Sequence, residues 1–279
     1  MRKGFGVLAA ILATVGVSVA TVSTAPAADP MMINGAGATF PYPLYSKWFF
    51  EYSNANPGVR FNYQSIGSGG GIQQFAAGTV DFGATDAPMN AEQLSKAPDA
   101  VHVPMVLGAV VLTYNAPFQG LRLTPRLVAD IFLGKITKWN DPAIAAVNAS
   151  IKLPDVPVTV ARRSDGSGTT FVFTDYLSKV SPEWKEKVGN GTSVSWPVGL
   201  GGKGNDGVTG LVKQTPGSIG YVELAYANQN KLPTAILQNK DGQFVAPTIE
   251  ATSAAAAGVQ MPEDYRVSLT NASGKDAWP

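Results

Sequence analysis

The chain has 279 residues, 45% of them hydrophobic and 15% charged, with a formal charge of +1; that is enough apolar matter for one large or two modest globular domains. Near-neutrality excludes a bulk nucleic-acid binder, so any bound anion must be held by a local site and not by a broad positive field. The absence of cysteine excludes disulfides, thiolate metal sites and a lipid-modified N-terminal cysteine.

Residues 1–27 read as a cleaved secretory signal peptide. Arg2 and Lys3 form the charged start, Val7–Ala20 is apolar and small, and Ala25-Pro26-Ala27 gives the A-x-A pattern before a cut. Its removal leaves 19 basic side chains against 20 acidic ones. A secreted chain without disulfides fits a bacterial periplasm. The 30 Gly and 20 Pro predict many turns and an α/β or β-rich body.

Beyond the leader, strand-like and helix-like runs alternate. Ile33–Phe40 is a short strand and turn, and Pro41–Asn54 a helix with Leu44, Tyr45, Trp48 and Phe49 on one face. Val59–Ser65 alternates as a strand, Gly69–Ala77 reads as a helix and Val80–Ala84 as a short strand. Val101–Asn115 is a long apolar run, expected as a buried strand crossing between two lobes. Thr124-Pro125 and Asp141-Pro142 each start a helix as N-cap and first helical residue. Val156–Ala161, Ser193–Val198 and Ser218–Val222 are predicted strands with helices between them, which implies α/β layers around a parallel or mixed sheet.

Three turns carry anion chemistry. Ala161–Phe171, ARRSDGSGTTF, runs from an apolar strand through Gly and Ser into the helix at Phe171–Val180. A helix start offers free N–H groups and partial positive charge, and Arg163 adds a full one. Gly35–Pro41, with Thr39, and Ile66–Gly71, with Ser68, are small-residue turns of the same kind. Three such turns surround one oxyanion only if the fold brings them together; an ordinary capped helix is the plainer reading of each. Asp86 would repel an anion unless the ligand brings a proton, because an ionised carboxylate only accepts hydrogen bonds. Phosphate offers that proton and sulfate at neutral pH does not. The plainer role for Asp86 is to cap a helix starting near Pro88.

The stretches GAGATFPYPLYSKW (35–48), YQSIGSGGGIQQF (63–75), TVDFGATDAP (79–88), LGKITKW (133–139), RRSDGSGTTFVFTDYLSKV (162–180), WPVGLGGKGNDGV (196–208) and PGSIGYVE (216–223) closely resemble the periplasmic phosphate-binding proteins of bacterial phosphate ABC transporters. The resemblance implies an α/β, two-lobed, type II-like periplasmic binding protein, with mixed sheets flanked by helices and a ligand cleft between the lobes. It places lobe I at residues 28–106, lobe II at 107–274 and the start of a return to lobe I at 275–279. The family continues past this point, so the expectation is a C-terminally incomplete sequence. By position it implies phosphate ligands at Thr39, Phe40, Ser68, Asp86, Arg163, Ser167, Gly168 and Thr169, with Asp165 holding Arg163 and Arg162 at the surface or a lobe contact. The implied partners are inorganic phosphate and the membrane permease subunits. No cofactor, no metal, no nucleic acid and no bond breaking are implied, and the chain is expected to be a monomer with hinges near Val103–Gly108 and Trp278.

Two rivals remain on these residues: a phosphatase or hydrolase with Ser167 or Thr169 as nucleophile, and a non-functional truncated binder. Gly199–Gly204 fits G-x-G-x-x-G, with Glu223 near the distance of a ribose-binding acid, but it follows a Pro-containing strand late in the chain and reads as a loop or lobe contact. His102, the only histidine, reads as structural. The five tryptophans read as core or lobe-surface aromatics.

Overall fold

A computed structural model describes residues 29–279; the signal peptide expected over residues 1–27 lies outside them. The first part of the chain builds a small parallel sheet. It runs β1 (Met31–Gly37), α1 (Tyr42–Ala55), β2 (Val59–Ser65), α2 (Ser68–Ala76), β3 (Phe82–Ala84) and α3 (Ala91–Lys96), with sheet order β2-β1-β3. Both pairings are parallel, and Gly37 lies opposite Ser65 on one side and Ala84 on the other. All three strands therefore end at one edge, where Thr39, Ser68 and Asp86 follow within a few residues. Helix α1 lays Tyr45 and Phe49 on Phe61, Tyr63 and Phe82, with ring centroids 4.5–6.2 Å apart, and aromatic packing of this kind dominates a small core. Asp86 is not a helix cap: the cap of α3 is Asn90, whose side chain forms a reciprocal capping box with Gln93.

The long strand expected over Val101–Asn115 is shorter. Only Val110–Tyr114 (β4) is strand; residues 101–109 belong to no strand. Val101 is 82% exposed and Leu107 49%, with Val103 and Met105 between. Pro104 cannot donate to a ladder, and among the described residues no strand pairs with this segment. The apolar side chains instead line a groove of about 800 Å³ shared with Trp278 and Pro279.

The remainder forms a second, larger lobe, in the order β5 (Arg122–Leu123), α4 (Pro125–Phe132), α5 (Pro142–Val147), β6 (Thr159–Arg163), α6 (Gly168–Val180), α7 (Pro182–Lys187), β7 (Leu200–Gly202), α8 (Gly204–Gln214), β8 (Ser218–Glu223), α9 (Leu224–Gln229), β9 (Ile236–Gln238), β10 (Phe244–Val245) and α10 (Ile249–Ala257). Its main sheet is mixed, β4-β8-β6-β7, with β4 antiparallel to β8 and β6 parallel to both neighbours; β10-β9-β5 forms a smaller one. Thr124 and Asp141 cap α4 and α5 through Leu127 and Ala143 N–H, as their Pro-led sequences predict.

No strand forms at the predicted Ser193–Val198. Pro197 removes a ladder donor, and Gly199, at φ +109°, turns the chain so that pairing with β6 begins at Leu200. The core of this lobe buries Trp139 and Trp184 completely. Their indole N–H groups donate to the Gly217 and Gly189 carbonyls, both at 2.9 Å, which removes the cost of burying an indole donor. Trp278 is also buried and donates to Val110 O at 3.1 Å, whereas Trp48 stays 41% exposed.

Candidate anion-binding site

On the smaller lobe, Thr39 and Ser68 are buried, at 3% and 0% exposure. Ser68 Oγ accepts from the backbone N–H of Asp86 at 3.2 Å, which joins the turn after β2 to the turn after β3. The turn before α2 needs glycine: Gly67 sits at φ +89°, and a Cβ there would lie 2.7 Å from the Gly166 carbonyl of the other lobe. The ring of Phe40 packs on Gly108, so its role in any site is through its backbone.

On the larger lobe, strand β6 ends at Arg163 and helix α6 begins at Gly168, with the Ser-Asp-Gly-Ser turn between them. Ser167 Oγ accepts from Thr170 N–H at 3.0 Å and caps the helix. The cap serves the third N–H of α6; those of Gly168 and Thr169 have no acceptor in the helix ladder. Arg163 is 3% exposed. Its Nε donates to Asp165 Oδ1 at 2.8 Å and its Nη2 to Oδ2 at 2.5 Å, a bidentate fork that fixes the guanidinium plane. Its Nη1 donates to Thr169 Oγ1 at 3.3 Å. Burial pushes the Asp165 carboxyl up, but the Arg163 fork and the Gly204 N–H at 3.0 Å pull harder, and its pKa ends below the usual carboxylate value.

The two lobes meet here. Gly69 N–H donates to Gly166 O at 2.9 Å, Thr169 Oγ1 to Asp86 Oδ2 at 3.4 Å, and Tyr226 Oη to Thr39 O at 2.5 Å. Gly168 faces Ser68 and Asp86 so closely that a Cβ would fall 2.6 Å from Asp86 Oδ2. Thr39, Ser68 and Asp86 are thus brought to the same junction as Arg163, Ser167, Gly168 and Thr169. Asp86 keeps some accessible surface as a residue, but its carboxyl lies in the packed part of the junction. Desolvation there pushes its pKa up to about 7, against the opposing pull of Arg163 and Thr169. Burial likewise pushes Glu223 up to about 7, with the nearby Asp86 charge adding to it.

Sequence reasoning passed over two contributors, Asn205 and Tyr226, and weighed a third, Glu223, only as a ribose-binding acid. Asn205, Glu223 and Tyr226 all reach the junction from α8, β8 and α9. Gly204 takes φ +71°, which turns its N–H onto Asp165 and starts α8 at the junction. The G-x-G-x-x-G run ending at Gly204 was the available signal; it is not a loop throughout, since Leu200–Gly202 pairs with β6 as β7, but its last residue, Gly204, lies against Thr39 of the smaller lobe. Arg162 is half-buried and turns back to the Arg163 carbonyl. His102 Nε2 accepts from Met89 N–H at 3.1 Å, a structural bond.

The family model described as the PBP superfamily domain matches residues 20–277. The phosphate-binding protein PstS of Xylella fastidiosa strain Temecula1 is 52% identical over 269 residues, covering 93% of this chain and 73% of that protein. The PstS of Pasteurella multocida is 54% identical over 252 residues, covering 88% and 73%. The chain belongs to the PstS family. A solved structure of a high affinity periplasmic phosphate-binding protein, bound with phosphate, superposes with a TM-score of 0.62 at 23% identity, covering 83% of this chain and 69% of that one. That likeness supports the two-lobed α/β binding-protein fold.

Proposed function

We propose that this PstS family member captures inorganic phosphate in the periplasm and delivers it to the permease of an ABC transporter. The lobes, residues 28–106 and 107–274, close over the anion. Thr39, Phe40, Ser68, Ser167, Gly168 and Thr169 supply hydroxyl and backbone donors, Arg163 supplies charge, and Asp86 accepts the ligand's proton. The chain acts as a monomer after removal of its signal peptide.

The observation that carries this reading is the convergence of three helix-start turns from two lobes on one buried arginine and one desolvated carboxylate. Donors alone would suit any oxyanion. Once ionised, above about pH 7, the Asp86 carboxylate restricts the ligand to one that can donate a hydrogen bond. A hydrolase reading has less support. Ser167 spends an acceptor position as a helix cap, and the imidazole of His102 is engaged by Met89; the carboxylate that faces Thr169, Asp86, lies across a long 3.4 Å bond, and the Thr169 hydroxyl is itself held by Arg163 and Asn205.

Isothermal titration with phosphate and sulfate tests the proposal. At pH 8, where Asp86 is ionised, phosphate gives saturable heat at one site per chain and sulfate does not compete; equal competition by sulfate overturns the role of Asp86, and no phosphate heat overturns the function. Turnover of a chromogenic phosphate ester would favour the hydrolase reading instead.

A further inference from the structure

Asn205, the second residue of α8, is fully buried at the junction, and its orientation is not free. Its Oδ1 accepts from the Glu223 backbone N–H at 2.9 Å. Only the oxygen end of an amide can do that, so Nδ2 must face the other way. There it donates to Thr39 Oγ1 at 2.7 Å and to Thr169 Oγ1 at 3.2 Å. The Asn205 backbone N–H donates to Thr39 Oγ1 as well, at 3.1 Å. One rigid amide thus touches a hydroxyl from each lobe.

A hydroxyl has one proton to give and two acceptor positions. Thr39 Oγ1 receives two N–H groups, both from Asn205. Thr169 Oγ1 also receives two, from Asn205 Nδ2 and Arg163 Nη1. With their acceptor positions filled, both hydroxyls can only donate. Thr169 already does so toward Asp86 Oδ2. An oxyanion is almost wholly acceptor, so hydroxyls held as donors are pre-organised for it, whereas freely rotating ones must first be ordered.

We propose that Asn205 is a positioning residue that fixes the Thr39 hydroxyl as a donor toward phosphate, holds the Thr169 hydroxyl as a donor to Asp86, and, through Thr39, latches the smaller lobe to the larger one. The proposal rests on the phosphate-binding reading above. Asn205 need not touch the ligand; it acts through two groups that do.

A double-mutant cycle tests it, using phosphate titration of the full chain with Asn205→Ala, Thr39→Val and the pair. Loss of one oriented donor to a charged acceptor corresponds to about a tenfold or greater weakening for Asn205→Ala. In the Thr39→Val background the same change costs at least about threefold less than in the parent, since only the Thr169 hydroxyl remains for it to hold. A purely structural asparagine gives equal losses in both backgrounds, and that result, or an Asn205→Ala affinity within about twofold of the parent, overturns the proposal. Asn205→Asp covers a folding failure of the alanine variant. It keeps the shape and the bond to Glu223 N–H, but presents an acceptor that draws the Thr39 proton away from the ligand and the Thr169 proton away from Asp86. It should melt a few degrees below the parent at neutral pH, because its carboxylate is buried beside Asp86 and Glu223, and, measured while folded, bind phosphate at least about a hundredfold more weakly; parental affinity would again overturn the proposal. Failure of the parent chain to bind phosphate is a separate outcome and sinks the functional reading itself.

Discussion

Asp86→Asn is the sharpest perturbation of the site. In the folded chain burial pushes the Asp86 carboxyl from its ordinary 3.8 up to about 7. At about 1.4 kcal/mol per unit, a shift of roughly three units sets an upper bound near 4 kcal/mol. The sign follows from proton counting. Between about pH 4 and pH 7 the folded state holds a proton that the unfolded chain has released, so the free energy of unfolding falls as pH rises. The cost is absent below about pH 4 and complete above about pH 7. Asparagine keeps the shape and removes the charge. The variant should match the parent near pH 4 and exceed it at pH 8, in phosphate-free buffer, by roughly 1–4 kcal/mol, or about 2–8 °C in Tm for a chain of this size. Glu223, the other carboxyl raised by burial, is present in both proteins, and loss of the Asp86 charge should lower its pKa as well. Melting by circular dichroism across pH 4–8 measures the difference. A variant no more stable than the parent at pH 8, or a gap that does not grow with pH, refutes a desolvated carboxylate at this position.

Arg163→Ala should weaken phosphate binding by about a hundredfold or more, because it removes the buried charge and strands Asp165 without its fork. Arg163→Lys should not restore it, since an ammonium cannot reproduce the bidentate pair; calorimetry on both variants checks this. Gly168→Ala places a methyl group against Ser68 Oγ and 2.6 Å from Asp86 Oδ2. It should lower affinity at least about tenfold while leaving Tm within a few degrees, as alanine is favourable in a helix; unchanged affinity would mean that the lobes need not meet at this point. Raising salt from 50 to 500 mM should alter phosphate affinity by less than about threefold, because buried partners are little screened; a steep salt dependence would place the recognition at the surface.

Much of this architecture is local and can be read in sequence. Strand β2 falls on the residues its alternation predicts, Val59–Ser65, because one face packs on α1 and the other meets solvent. The capped starts of α4 and α5 depend on neighbours within three residues. The Arg163–Asp165 fork spans two positions. What stayed hidden depends on distant partners. Whether residues 101–109 form a strand is decided by a pairing strand and not by their own apolar character. Asn205 meets Thr39 across 166 positions, and nothing local distinguishes it from any asparagine at a helix start. The Asp86 carboxyl could be singled out as odd, but its raised pKa comes from the lobe packed over it.

The charges at the junction decide how an anion can be held. Arg163 is the buried cation there, and Asp165 already takes two of its N–H groups. Asp86 and Glu223 add two more carboxyls, each raised to about 7 by burial. Net positive charge is therefore not what the site offers. It offers N–H groups at the starts of α2 and α6, and hydroxyls whose acceptor positions are already filled. Dipoles fixed by the fold cost no reorganisation when the ligand arrives, and they distinguish ligands by where hydrogen atoms sit, which net charge cannot do. A carboxylate in such a site costs stability while the site is empty at neutral pH. That cost falls when a ligand supplies the missing proton, so the same group that strains the empty site favours the protonated oxyanion over its isosteric rivals.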